Sequence, residues 1–218
     1  MADISVDAFA ERVANELQGV PFPLAQQMAI KALRSFCQDT RAWVYEHPAI
    51  DLVAGQADYV LTVDENAFVH ELSRVSVRGQ ACLPYSRSAA IQPNQRGVYD
   101  TYQADGRSVS SFAYNRPAPN TLRIVPTPNT SATDGIEADC VLVPLPEASA
   151  VPEFLYTEHV EMIENKGKSL AFARPKTDWF DPQLSTYYDG LYQSMIGSVR
   201  TSVRAGNVTP RHRVRAYP

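Results

Sequence analysis

Residues 151–199 read VPEFLYTEHVEMIENKGKSLAFARPKTDWFDPQLSTYYDGLYQSMIGSV, and this stretch decides the fold. Tyr156, Val160, Ile163, Gly167 and Leu170 follow one another at alternating steps of four and three, which places them on one face of a helix. Gly167 on that stripe costs about 1 kcal/mol of helix propensity relative to alanine, a cost that close approach of another helix would offset. Pro175 ends this helix. Asp181-Pro182 opens the next, with an N-cap followed by proline at the first helical position, where its missing N–H does no harm. Leu184, Tyr188, Leu191, Met195 and Val199 form the second stripe, until Gly206-Asn207 and then Pro210 stop it.

The same period rules the start of the chain. Val6, Phe9, Val13 and Leu17 predict a short helix over Ser5–Leu17. Beyond Pro21 and Pro23, Leu24, Met28, Leu33, Phe36, Cys37, Thr40 and Trp43 predict a second helix over Pro23–Val44, with Lys31, Arg34, Gln38 and Arg41 on its other side. From about Ile50 the period changes. DLVAGQADYVLTV and ELSRVSVRG carry β-branched and aromatic residues at short alternating spacing, broken at Gly55 and Gly79. Residues 84–120 are polar, with scattered tyrosines, and predict long loops between short strands. TLRIVPTP and GIEADCVLVPLP read as two strands separated by the turn-rich NTSATDG, each closed by a proline. The expected fold is α+β. An antiparallel helical bundle is built from 1–47 and 151–206, with a small β-domain inserted over 48–150 and an extended C-terminal arm over 207–218.

The chain's 218 residues allow one large domain or two modest ones, and 44% hydrophobic with 20% charged residues is the composition of a folding, globular protein. Cys37, Cys82 and Cys140 lie far apart with no C-x-x-C pair, which encodes neither a disulfide framework nor a zinc knuckle and fits a reducing cytoplasm. The start, MADISVDAFAERVANEL, is acidic and amphipathic, unlike a signal peptide, and no run of apolar residues is long enough to span a membrane. The net charge of −4 is unevenly placed. After Asp189 there is no acidic residue, only Arg200, Arg204, Arg211, Arg213 and Arg215, so any contact with a polyanion is confined to that end.

Catalytic motifs are missing. Gly167-Lys168-Ser169 copies the end of a P-loop, but Met162 stands where the first glycine belongs and the fragment lies in a helical pattern. His47, His70, His159 and His212 have neither H-E-x-x-H spacing nor a cysteine partner. His159 with Glu158, Glu161 and Glu164 reads as the charged, solvated face of a helix. No G-x-S-x-G elbow, G-x-G-x-x-G fingerprint or EF-hand loop occurs, and neither a metal nor a cofactor is expected. In the arm, NVTPRHRVRAYP, Arg211, Arg213 and Arg215 fall at every second position, which in an extended strand sets all three guanidinium groups on one side. Such a segment builds no core of its own and is ordered by docking on something else, if at all.

The C-terminal half, LPEASAVPEFLYTEHVEMIENKGKSLAFARPKTDWFDPQLSTYYDGLYQSMI, resembles the head-to-tail connector adaptor proteins of tailed bacteriophages, especially the short-tailed ones. In that family a strand ends at a proline, and a helix with a small-residue centre follows. A tryptophan-proline turn then leads into a helix of the L-x-x-x-Y-x-x-x-Y type. Here these are Pro152, Gly167, Trp179, Pro182, Leu184, Tyr188 and Tyr192. The N-terminal half is similar in ALRSFCQDTRAWVYEHPAIDLVAGQADYVL, where Trp43 precedes Val53, Ala54, Gly55, Gln56 and Tyr59. The resemblance implies a structural, non-enzymatic virion protein, made in the host cytoplasm and located at the head–tail interface. Its subunits would form a homo-oligomeric ring, typically a dodecamer, that binds the portal protein after genome packaging and receives a tail nozzle or tail fibre protein. Genomic DNA would pass through the ring, and no membrane is involved. It implies subunit packing through Gly167, Trp179, Tyr188 and Tyr192, and a portal-binding arm of Arg211, Arg213, Arg215, Tyr217 and Pro218. Two other readings compete with it: a virion-associated cell-wall glycan hydrolase, and a nucleic-acid-binding protein acting through the basic tail.

Overall fold

A computed structural model of the protein describes residues 2–15, 17, 19–84, 111–114 and 120–204. The chain is mixed α+β and divides into two compact units, one of residues 1–43 with 143–218 and one of residues 44–142.

The first unit holds the helices α1 (Val6–Ala14), α2 (Phe22–Thr40), α3 (Phe154–Phe172) and α4 (Pro182–Arg204). Helix α1 starts on Ser5, whose side chain accepts from the Asp7 amide. Its predicted face is buried as read at Val6, Phe9 and Val13, each at most 3% exposed; the helix stops at Ala14, short of the expected end, and Leu17, also buried, lies beyond it. Helix α2 stops earlier than its spacing predicts. Arg41 takes a left-handed conformation (φ 60°, ψ 30°) and its N–H caps the Cys37 carbonyl, while the Thr40 hydroxyl donates to the Phe36 carbonyl. No glycine announces this cap, and Trp43, though buried, lies outside the helix. Asp181 caps α4 as expected: its Oδ1 accepts from the amides of Gln183 and Leu184 at 2.9 and 3.0 Å. The α4 stripe is rotated from the one expected. Tyr192, Ile196 and Val199 are buried, whereas Leu184 is 39% exposed. The terminator expected at Gly206-Asn207 lies outside the described residues. A short antiparallel pairing of β1 (Asp3–Ser5) with β10 (Ala150–Pro152) precedes α3, joining residues far apart in sequence.

Among the described residues, the second unit holds two four-stranded sheets. One has the order β2 (Val44–Leu52), β9 (Ala132–Pro144), β4 (Ala67–Val77), β5 (Gln80–Ala81). The other has the order β3 (Asp58–Val60), β8 (Thr121–Val125), β7 (Ser111–Tyr114), β6 (Leu83–Pro84). Strand β2 begins at Val44, six residues before the predicted change of period, and pairs antiparallel with β9 through Val44↔Val141 and Tyr45↔Cys140. It is an edge strand, which is where Pro48 can sit without breaking a ladder. Strand β9 also starts earlier than expected, at Ala132 inside the supposed turn NTSATDG. Arg123 and Asp58, directly opposite on β8 and β3, form a bidentate ion pair at 2.6–2.7 Å. This pairing holds the Asp58 carboxyl below its usual range. Most of the polar stretch 84–120 lies outside the described residues.

Candidate functional site

The segment VAGQADY (53–59) forms a closed turn at the end of β2. Gly55 needs a positive φ of 81°, a conformation that costs glycine nothing and other residues a good deal. Its amide donates to the Pro128 carbonyl at 2.8 Å. The buried Tyr59 ring reaches back, so that its hydroxyl accepts from the Val53 amide at 3.1 Å and donates to the Gln56 carbonyl at 3.0 Å. Gln56 Nε2 in turn donates to the Asp58 carbonyl. Gly55, Gln56 and Tyr59 therefore each have a local structural task. His47 is equally occupied: Nε2 accepts from the Thr62 amide at 3.0 Å and Nδ1 lies 2.6 Å from the Pro48 carbonyl.

In the helical unit, the Gly167-Lys168-Ser169 fragment sits inside α3. A Cβ on Gly167 would come within 2.5 Å of Val13 on α1, so the helix that approaches this glycine closely is α1. Lys168 is buried at 3% exposure. Its Nζ pairs with Glu164 one turn earlier at 2.6 Å and lies over the Tyr188 ring at 5.4 Å. Arg12 of α1 approaches the same carboxylate at 3.6 Å. Glu164 thus faces a buried cation, not open solvent, a correction to the reading of this face as simply solvated.

Trp179 packs on a cluster of Val13, Leu17, Met28, Ala171 and Phe172, and Tyr188 on the same cluster, its ring stacked on Phe172 at 5.7 Å between centroids. Tyr192 is fully buried and donates to Asp39 Oδ2 at 2.7 Å. Burial first, and the Asp39 carboxylate second, push its phenol far up from the usual value. Arg200 joins the arrangement through Nε to the Asp39 carbonyl at 2.6 Å. Lys166 spans from α3 to Asp189 on α4 at 2.7 Å. Gly167, Trp179, Tyr188 and Tyr192 therefore all engage partners within their own chain. Arg211, Arg213, Arg215, Tyr217 and Pro218 lie outside the described residues. Sequence reasoning missed Asp39, for which nothing in the local pattern gives a signal, and Lys168, whose spacing from Glu164 does give one.

Little of this is suited to catalysis. His159 is flanked by the rings of Phe36 at 4.9 Å and Phe154 at 6.2 Å, and burial lowers its basicity. Its Nδ1 has no hydrogen-bond partner among the described residues. The thiols of Cys37, Cys82 and Cys140 are buried, and burial raises their pKa values, that of Cys140 to about 12. They are therefore poor nucleophiles. No group of three or more metal-ligating side chains occurs among the described residues. A cleft of about 450 Å³ between the starts of α1 and α2 and residues 146–149 carries Asp7 and Glu147 but neither histidine nor cysteine, and Asp7 is engaged by Gln26. No described helix is long and apolar enough to cross a membrane.

The family model for the SU10 adaptor protein matches residues 4–215. The chain belongs to the SU10 adaptor family. The match runs through both units, so the adaptor assignment covers helices and strands alike and agrees with the phage head–tail adaptor resemblance of the sequence. An SU10 adaptor is a structural component of the phage virion. No curated protein matches the chain.

Proposed function

We propose that this adaptor is a non-enzymatic ring subunit that joins the portal to the tail nozzle or fibres and continues the DNA channel between them. The observation that carries the reading is the family match from residue 4 to residue 215, almost the whole chain. The helical unit is a bundle whose α3 and α4 are clamped together by Lys166–Asp189 and by Lys168 under Tyr188. Gly167, Trp179, Tyr188 and Tyr192 serve subunit packing from within, by keeping these helices a rigid wall against which neighbours in a dodecamer align. The arm over 207–218 extends to the portal, where Arg211, Arg213 and Arg215 meet carboxylates and Tyr217 and Pro218 close the contact. One exposed ion pair contributes only about 0–1 kcal/mol, but a ring presents many arms at once, and each attachment raises the effective concentration for the next. Assembly is thereby tied to the portal template. The acidic body does not grip phosphates, which lets DNA slide past.

The test is to mix purified chain and portal and image the product with and without residues 207–218. Rings on the portal with the intact chain and bare portals with the truncated one are expected.

A further inference from the structure

Helix α4 differs from the other helices in what it shows to solvent. Helices α1, α2 and α3 each expose charge, at Asp7 and Glu11, at Lys31, and at Glu158 and Glu161. Between Pro182 and Val203, α4 carries only two charged residues, Asp189 and Arg200, both half-exposed. Both are turned to partners in the same chain, Asp189 to Lys166 and Arg200 to Asp39. The outward hydroxyls are bonded to the helix's own carbonyls, Ser194 to Leu191, Ser198 to Met195 and Thr201 to Gly197, at 2.7–3.0 Å. Covering this face therefore strands no charge and few hydrogen-bonding groups.

Two glycines sharpen the point. A Cβ at Gly190 or Gly197 would meet nothing within 4 Å, in contrast to Gly167, so packing within the chain gives no reason for either. Both weaken the interior of a helix, which is what a close approach from outside would require. At the other end of the same face stands a large exposed side chain, Tyr187 at 59%, its ring held edge-on to Tyr188.

We infer that this face of α4 pairs with the same face of a second copy of the chain, antiparallel, about a two-fold axis level with Tyr192. Gln183, Tyr187, Gly190, Ser194, Gly197 and Thr201 follow at alternating steps of four and three, the spacing of a seam between two helices. A two-fold at that level sets Tyr187 opposite Gly197 of the second copy, Gly190 opposite Ser194, and Gln183 opposite Thr201. Each large residue meets a small one, and the two helix dipoles oppose. No other described helix of the chain suits the face, because each would bury an exposed charge against a neutral surface. The strip is about 35 Å long and about 10 Å wide. It buries roughly 700 Å² in total, short of the ~1,200 Å² or more of stable dimers, so the pair is reversible. Its two subunits point in opposite directions, and it must part before subunits line up around a portal. The pair is thus a state of the free protein and does not rest on the ring reading.

The test uses full-length, portal-free chain, whose native cysteines are all buried. A disulfide needs Cα atoms within about 7 Å, so only apposed positions bridge under mild oxidation. Mixing Tyr187→Cys with Gly197→Cys protein is expected to give a cross-linked dimer of the two, while neither variant alone does. Gln183→Cys with Thr201→Cys repeats the test at the ends of the seam. Ser194→Cys cross-linking to itself while both mixtures fail would mean parallel neighbours and would overturn the two-fold. Absence of cross-linking in every sample, with unchanged helical circular dichroism, would overturn the pairing and leave the face to a portal or tail partner. Binding of the arm to the portal is measured separately and is unaffected by either result.

Discussion

Gly167 and Gly197 occupy interiors of neighbouring helices, yet substitution should act on them in opposite directions. Gly167→Ala forces a methyl to within 2.5 Å of Val13, and overpacking of a filled core costs about 1–3 kcal/mol. Gly197→Ala gains about 0.5–1 kcal/mol of helix propensity into open space. Thermal melting of the two variants should therefore show one Tm below and one above that of the native chain. His159 provides a pH signature. Burial lowers its pKa from the ordinary 6.5, so the unfolded chain binds the proton more readily. Its contribution to stability is complete above that pH and is lost as pH falls through it. The Tm of the native chain should drop below about pH 6.5, and His159→Phe should flatten that part of the profile.

Within α3, the buried polar contact of Glu164 with Lys168 carries a testable cost. Glu164→Gln takes the carboxylate from a buried ammonium group and should cost about 3 kcal/mol, whereas Lys168→Met, which removes the charge along with its need for a partner, should cost less. Urea unfolding of both variants checks the order. Helix positions were legible because the 3.6-residue period and the Asp181-Pro182 start are local signals. Their exact faces and ends were less so. The end of α2 depends on Arg41 adopting a left-handed turn that its residue type does not advertise. The α4 stripe is shifted because Tyr192 follows its hydroxyl's partner, Asp39, from a distant helix. The pairing of β1 with β10, and the early start of β9, likewise depend on residues far away in sequence. At the candidate site, Glu164–Lys168 could be read from its spacing of four, whereas the convergence of Tyr192 and Arg200 on Asp39 needed the fold.

For the whole molecule, the uneven charge is the feature with most consequence. In the proposed portal role, the acidic body and the arginine-bearing end would make attachment electrostatic, so binding to the portal should weaken as salt rises and the Debye length falls below about 10 Å. Replacing Arg211, Arg213 and Arg215 together by glutamine should weaken attachment in low salt and flatten this dependence, as sedimentation with labelled portal would show. The most direct measurement of the central claim is electron microscopy of portals incubated with the intact chain and with a chain ending at residue 206. Portals capped by a ring only in the first sample are the predicted result. Equal capping by the shortened chain would contradict the docking role given to the arm, and bare portals in both samples would contradict the portal adaptor itself.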